Sequence, residues 1–144
     1  MNGLQVQLSA DPKQTSQVVL AGLRAFNRQH LGEFESEPIA VELVGDGGEI
    51  LGGAAGSLML GWLFVDMLWL PEDVRGSGMG TKVMDELESQ AIQRGATRAI
   101  LDTAGFQAEE FYLKRGYVEC GRVTNFTSGF DRIYLTKVLV GDVN

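Results

Sequence analysis

The sequence is poor in the residues that build metal centres and disulfide frameworks. It contains one cysteine, Cys120, and one histidine, so no internal disulfide can form and no cluster of metal-ligating side chains is expected. Basic residues are also scarce, because 12 Lys and Arg stand against 19 Asp and Glu and give a net charge of -7. A nucleic-acid-binding protein needs a basic face to neutralise phosphates, and this charge balance argues against that class.

Long apolar segments are missing as well. The most apolar stretch, residues 58–70, is interrupted by Gly61 and Asp66 and is too short to cross a bilayer. The first residues carry neither a basic leader nor the apolar core of a signal peptide, which favours a cytoplasmic protein. The 144 residues are enough for one hydrophobic core, and we expect a single domain over residues 1–144.

The hydrophobic pattern predicts a mixed α/β fold. Strands are expected where apolar residues alternate or run without interruption, and helices where they recur every three or four residues. The predicted helices are 16–30, 78–94 and 107–115, and the predicted strands are 4–8, 39–44, a strand from 49, 62–70, 98–102, 117–124 and 132–140. Antiparallel strands thus precede one strand–helix–strand unit, which indicates a mostly antiparallel, twisted sheet of six to seven strands with helices on both faces.

A glycine-rich loop lies between the strand 62–70 and the following helix. Glycines 76, 78 and 80 leave the backbone open to direct contact with a large anion, and the first N–H groups of the helix have no partner there. The helix dipole favours negative charge at this point, and Arg75 and Lys82 add positive charge. The loop therefore predicts an anion site, and a glycine-rich turn without a ligand is the alternative. The spacing matches neither a P-loop nor a dinucleotide-binding fingerprint.

Two segments together resemble the signatures of the GNAT acetyltransferase superfamily. Residues 68–80, LWLPEDVRGSGMG, resemble its acetyl-CoA motif, in which a strand and a short loop precede Arg/Gln-x-x-Gly-x-Gly/Ala, here Arg75, Gly78 and Gly80. Residues 108–117, AEEFYLKRGY, are similar to its second signature, Phe-Tyr-x-x-x-Gly-Phe/Tyr. The two segments lie in the family's order, and the predicted elements match from about residue 4 to residue 140. The resemblance implies a GNAT-like fold and an N-acetyltransferase that uses acetyl-CoA.

The resemblance also implies how the cofactor would be bound. The strand edge at Leu68 and Leu70 would bond the pantetheine arm like an added strand. Many relatives carry an Asn at the start of the second helix that contacts the cofactor. This chain has Gly105 at that position, with Gln107 nearby. The pyrophosphate would be held by the amides of Arg75, Gly76, Ser77, Gly78, Met79, Gly80 and Thr81.

Direct acetyl transfer in a ternary complex needs an uncharged amine, a stabilised oxyanion and a proton for the departing thiolate. Tyr112 is the expected acid, because the superfamily often uses the Tyr of this motif and a phenol titrating near about 10 keeps its proton at neutral pH. A purely structural position in the core is the alternative for Tyr112.

Asp66 is the expected base. It is the only charged residue of the strand 62–70, whose apolar faces predict burial on both sides, and it would share a face with Phe64 and Leu68. Burial makes a carboxylate a stronger base, and relatives often place an acidic residue on this strand. A carboxylate satisfied by its neighbours is the structural alternative, and Glu42 or bulk water are the other candidate bases.

The acceptor is expected to be a primary amine of a small molecule or peptide, with no nucleic acid, membrane or metal involved. Edge strands at the end of the chain permit a homodimer. Two other functions stay open on the sequence alone. One is a non-catalytic module that senses acyl-CoA, and the other is a nucleotide-binding domain that uses the same glycines.

Overall fold

The computed structural model describes residues 3–141. The chain forms two compact units, one up to Phe34 and one from Glu35 onward. The first unit contains one helix, α1 (Pro12–Leu31). The strand predicted at residues 4–8 was wrong, since these residues form neither a strand nor a helix.

Helix α1 begins earlier than predicted. Asp11 caps it, because its side chain accepts a hydrogen bond from the Gln14 amide at 3.2 Å. Pro12 fits the first helical position, where its missing N–H costs nothing. The start predicted at Ser16 overlooked this Asp–Pro pair.

The second unit is built on a six-stranded mixed sheet. Its strands lie in the order β1-β2-β3-β4-β6-β5, and every neighbouring pair is antiparallel except β3 and β4. The predicted mixed α/β fold, with a mostly antiparallel sheet and flanking helices, is confirmed. The strands are β1 (Glu37–Val44), β2 (Ile50–Met59), β3 (Trp62–Trp69), β4 (Arg98–Ala104), β5 (Val118–Thr127) and β6 (Phe130–Val138), and the helices are α2 (Met79–Gln93) and α3 (Glu109–Lys114).

The hydrophobic core joins the sheet to α2 and α3. Apolar residues at helical spacing form the buried face of α2. The chain leaves this helix at Gly95, whose φ of 96° lets the Ala96 amide bond back to the carbonyl oxygen of Ala91 at 2.9 Å. The core includes Leu63, Val65, Val83, Met84, Leu87, Ala91, Leu101, Tyr112, Ile133 and Leu135.

Strand β2 approaches both of its neighbours through glycines. A β-carbon on Gly56 would lie 1.9 Å from the carbonyl oxygen of Phe64, and one on Gly53 would lie 2.1 Å from that of Val41. Contacts this short are sterically forbidden, so both positions require glycine.

Strands β3 and β4 pair only over their first halves. The parallel pairing runs from Trp62 opposite Arg98 to Val65 opposite Leu101, and none is formed beyond it among the described residues. The sheet therefore opens between the second halves of these two strands.

A β-bulge lies at the same point of β3. Val65 pairs with Gly56 of β2 and Met67 pairs with Ala55, so Asp66 is an extra residue without a partner. A bulge bends its strand and re-aims the side chain it carries. The bend coincides with the opening of the sheet.

The opening explains why β3 is not buried on both sides. Leu63 and Val65 are buried, but Asp66, Met67 and Trp69 are exposed. The prediction of a strand buried throughout was wrong, because an apolar run does not reveal where a strand loses its neighbour.

The hairpin of β5 and β6 is tighter than predicted. Only Ser128 and Gly129 lie between the two strands, and their φ angles of 48° and 80° are those of a tight turn. The predicted connection over residues 125–131 was therefore too long.

Candidate active site

A groove of about 910 Å³ opens where β3 and β4 separate. Its walls come from the second half of β3, the start of α2, the end of β4 and the region around α3. Within the described chain it brings together most of the predicted site residues. Those that line it are Asp66, Leu68, Leu70, Arg75, Gly76, Gly78, Gly80, Thr81, Gln107 and Tyr112.

Helix α2 begins without a side-chain cap and without an acidic residue in its first turn. Gly78 precedes the helix in the left-handed conformation, with a φ of 87°, and the Lys82 amide bonds to its carbonyl oxygen at 3.2 Å. The amides of Gly78, Met79, Gly80 and Thr81 donate to no other residue of the described range 3–141. Unpaired amides at the positive end of a helix dipole form an anion-binding site.

Arg75 is fixed beside these amides. Its Nε donates a hydrogen bond to the carbonyl oxygen of Leu70 at 2.9 Å, and its terminal nitrogens have no acceptor among the residues described. Lys82, in the first turn of α2, likewise forms no ion pair with any described residue. Two cationic side chains without an ion-pair partner in the described chain therefore lie beside these amides, although Glu72 and Asp73 precede them and the chain as a whole carries -7.

Two of the predicted pyrophosphate amides are used within the loop itself. The Arg75 amide donates to the Glu72 carbonyl at 3.2 Å, and the Ser77 amide donates to the Val74 carbonyl at 3.4 Å. The Ser77 hydroxyl also donates to Val74. The loop is thus stabilised by its own turns, while the Gly76 amide, like those of residues 78–81, donates to no described residue.

Gly80 brings the first turn of α2 against α3. A β-carbon at this position would lie 3.4 Å from the Phe111 ring and 3.7 Å from Leu70. These are ordinary van der Waals distances. The first turn of α2 therefore packs directly against the Phe111 ring of the helix that carries Tyr112.

Tyr112 is buried in the core but lines the groove. It is 6% exposed, and its ring packs edge-on against Phe111 and Tyr117, with centroid distances of 5.3 and 5.5 Å. Its hydroxyl forms no hydrogen bond with any described residue. Burial raises the pKa of Tyr112 to about 12, an effect that the nearby positive charge of Arg115 partly opposes. The phenol therefore stays protonated at neutral pH.

Asp66 lies at the bulge of β3, on the wall of the groove. Its side chain is exposed because the strand loses β4 as a neighbour at this residue. The prediction that Asp66 is buried was therefore wrong. The argument that burial strengthens it as a base no longer applies, and only its position supports that role. Glu42, the alternative base, lies on β1, which β2 separates from β3.

Gln107 ties the end of β4 to the region that precedes α3. Its Oε1 accepts hydrogen bonds from the Ala104 amide at 2.9 Å and from the Thr103 hydroxyl at 3.1 Å. The side-chain nitrogen has no acceptor within the described part of the chain. Only that nitrogen is available to a ligand in the groove.

A buried ion cluster behind the site was not predicted. Glu88 is 6% exposed and accepts hydrogen bonds from Arg115 at 2.9 Å, from Lys137 at 2.5 Å and from the Tyr117 hydroxyl at 3.1 Å. The cluster joins α2 to the end of α3 and to β6. A signal was present, because Glu88 follows Leu87 on the apolar face of the predicted helix.

Asp102 was also missed. It follows Leu101, the last paired residue of β4, and lines the groove. Its carboxylate forms an ion pair with Arg132 of β6. Asp66 and Asp102 are each the fifth residue of a strand, and this matching position after two apolar runs could have revealed the pair.

Comparisons with known proteins agree with this geometry. The Acetyltransferase (GNAT) family matches residues 10–117. The Blasticidin-S acetyltransferase of Streptomyces morookaense is 32% identical over 119 residues, which cover 81% of this chain and 88% of that protein. The structure of an acetyltransferase from Bacillus cereus ATCC 14579 superposes with a TM-score of 0.87 at 26% identity, over 96% of this chain and 99% of the other. The chain therefore belongs to the GNAT acetyltransferase family and is an acetyltransferase of that type.

A protein of the same fold is known in complex with coenzyme A. The structure of an aminoglycoside 6'-N-acetyltransferase complexed with coenzyme A superposes with a TM-score of 0.66 at 20% identity, over 75% of this chain and 76% of the other.

Among residues 3–141, no group of three or more His, Cys, Asp or Glu side chains is arranged to hold a metal ion. Within the same residues, no helix has both the length and the apolar character needed to cross a membrane.

Proposed function

We propose that this acetyltransferase transfers the acetyl group of acetyl-CoA to a primary amine, by direct attack in a ternary complex. The observation that carries the proposal is the groove itself. Its basic end holds unpaired helix amides, and Tyr112 presents an unused, protonated hydroxyl to the same space. An anion-binding end and a proton donor in one groove are what transfer from a CoA thioester requires.

In this proposal the pyrophosphate binds at the start of α2. The amides of residues 78–81 and the side chain of Arg75 would contact it, because they have no other partner in the described chain. The pantetheine arm would extend along β3 past Leu70 and Leu68, where the strand has lost β4 as a neighbour. The side-chain nitrogen of Gln107 would donate to the arm from the other wall of the groove.

The chemistry then involves three proton transfers. The ammonium form of the acceptor loses a proton to Asp66, and the neutral nitrogen attacks the thioester carbonyl to form the C–N bond. The C–S bond breaks as the tetrahedral intermediate collapses, and Tyr112 gives its proton to the departing sulfur. The proton lost by the new amide nitrogen restores the phenol through water. One proton is released overall when the acceptor begins as an ammonium ion.

The role of Asp66 as base rests on its place at the bulge, beside the end of the proposed path of the arm. Because the carboxylate is exposed, a water molecule between it and the amine is compatible with the role. Bulk water alone is the competing proposal. Glu42 is weaker, since it lies two strands away from the groove wall formed by β3.

A small-molecule amine is the proposed acceptor. Two similar proteins carry names of small-molecule acetyltransferases, one for blasticidin S and one for aminoglycosides. A basic peptide is the second acceptor class to be tested.

The experiment combines cofactor binding with turnover. Acetyl-CoA should raise the Tm, and a panel of polyamines, amino acids, aminoglycosides and basic peptides should reveal release of CoA thiol. A Tm shift without CoA release from any amine would support the sensing module instead. A shift with ATP or NAD but not with acetyl-CoA would support the nucleotide-binding alternative.

Two glycines at opposite ends of α2 provide a matched pair of variants. Gly78 and Gly95 both have positive φ, 87° and 96°, and a β-carbon on either would meet open space. Gly78→Glu and Gly95→Glu therefore introduce similar backbone strain and the same charge. Only Gly78→Glu should abolish the Tm shift caused by acetyl-CoA. Equal shifts in the two variants would contradict the proposed pyrophosphate site.

A further inference from the structure

Two carboxylates lie on opposite sides of the opening in the sheet. Val65 and Leu101 are the last paired residues of β3 and β4, and Asp66 and Asp102 follow them directly. Both aspartates line the groove and both are exposed. The groove is therefore acidic where the sheet opens and basic at the start of α2.

Asp102 is held in a defined orientation. Its strand neighbours Leu101 and Thr103 are buried, so alternation places Asp102 on the face of the sheet away from the core. There its Oδ1 accepts a hydrogen bond from Arg132, whose guanidinium lies 5.2 Å from the centroid of the Phe126 ring. The other carboxylate oxygen has no partner among residues 3–141.

Tyr112 lines the same space with a phenol that has no hydrogen-bond partner in the described chain. The residue as a whole is 6% exposed, and its hydroxyl is not sealed in the core. Leu70 follows the end of β3 and lies four positions after Asp66, a distance of about 13 Å at 3.3 Å per residue. An arm bound along this edge would bring its thioester to the level of the two aspartates. The reacting carbonyl would then have Tyr112 on the core side and both carboxylates on the other.

We propose that Asp102 is a specificity-determining residue that binds the acceptor amine together with Asp66. The inference rests on the proposed function and names its substrate class, a cationic primary amine. An ammonium group carries three N–H donors, of which Asp66 accepts one and takes its proton. Asp102 accepts a second N–H through its free oxygen, and no bond to Asp102 itself is made or broken. Once Asp66 has taken the proton, the nitrogen keeps a lone pair, and rotation of the amine about its remaining contact with Asp102 turns that lone pair toward the thioester carbonyl.

The ion pair with Arg132 supplies the decisive comparison. Asp102→Asn removes the negative charge from the acceptor site, whereas Arg132→Gln frees the carboxylate from its competitor. If Asp102 binds the amine, Asp102→Asn should raise the KM for the acceptor by about tenfold or more. This is the effect of losing one hydrogen bond to a charged group. Arg132→Gln should leave that KM unchanged or lower it. Neither variant should change the KM for acetyl-CoA.

The assay uses whichever of 1,4-diaminobutane, spermidine, lysine and kanamycin releases CoA fastest with the wild-type enzyme. Asp46→Asn is the control, since it removes one negative charge from the turn between β1 and β2 and should leave the KM unchanged. Asp102→Glu keeps the charge and should recover most of the affinity even if Asp102→Asn is unstable.

Two results would overturn the inference while leaving the proposed function intact. One is an unchanged acceptor KM in Asp102→Asn, and the other is an equal loss in Asp102→Asn and Arg132→Gln, which would assign Asp102 to the ion pair alone. A wild-type enzyme that binds acetyl-CoA but releases no CoA with any amine would overturn the proposed function itself.

Discussion

Tyr112 offers the sharpest test, because its hydroxyl has a chemical role in the proposed mechanism and no hydrogen bond to hold the fold. Tyr112→Phe removes the proton and keeps the ring that packs against Phe111 and Tyr117. At pH 8 the free energy of unfolding should therefore change little. The kcat should fall by about a hundredfold or more, the usual contribution of a general acid, while the affinity for acetyl-CoA stays similar.

The raised pKa makes a second, independent prediction about stability. The phenol of Tyr112 titrates at 10.0 when unperturbed and at about 12 in the folded protein, because burial disfavours the phenolate. The unfolded chain therefore loses this proton first as the pH rises. The stability from this group is fully present below pH 10 and is lost between about pH 10 and pH 12. Two pKa units correspond to about 3 kcal/mol in the free energy of unfolding.

Denaturant unfolding at pH 8, 10, 11 and 12 measures this loss. Between pH 8 and pH 12 the free energy of unfolding should fall by about 3 kcal/mol more in the wild type than in Tyr112→Phe, since the other titrating groups are common to both proteins. Equal losses would show that Tyr112 is not held in a desolvated site. Near-normal turnover of Tyr112→Phe with a good acceptor would return the residue to a purely structural role.

Three further predictions concern the base, the buried cluster and the bulged strand pair. In Asp66→Asn the pH profile of kcat/KM should lose its acidic limb, and the profile should be measured with two acceptors of different pKa. An acidic limb that survives in the variant and moves with the pKa of the acceptor excludes Asp66 as the base. Glu88→Gln removes the buried carboxylate that pairs with Arg115 and Lys137 and should cost about 1–3 kcal/mol in urea unfolding, since Arg115 keeps its ion pair with Asp85 and Lys137 is partly exposed. No measurable cost would contradict the burial of the cluster. Gly56→Ala places a β-carbon 1.9 Å from the Phe64 carbonyl and should lower the Tm strongly, whereas Gly121→Ala, which meets open space, should change it little.

The location in the cytoplasm, the single domain over residues 1–144 and the homodimer stay predictions. So do the individual roles of the site residues, which the experiments above address. Residues from both sequence signatures line the same groove, so the proposed roles fall within one site.

The sequence by itself determined the order of the elements and the family. Glycines at 76, 78 and 80, an apolar strand before them and a helical stripe after them are local signals, because neighbouring residues alone create them. The same holds for the Phe111–Tyr112 pair on its short helix. Errors arose at boundaries that a local cap decides, as at Asp11, where an Asp–Pro pair rather than Ser16 begins the helix.

Only the tertiary structure decided which strand loses its neighbour and where. The end of the β3–β4 pairing at Val65 depends on contacts between residues far apart in sequence, so the periodicity of β3 alone could not reveal it. That single event exposes Asp66, opens the groove and brings Asp102 opposite it. The same long-range packing buries Glu88 among cations from α3 and β6. Such long-range contacts decide whether a carboxylate is buried. For that reason the sequence pattern wrongly predicted burial of Asp66 and did not predict burial of Glu88.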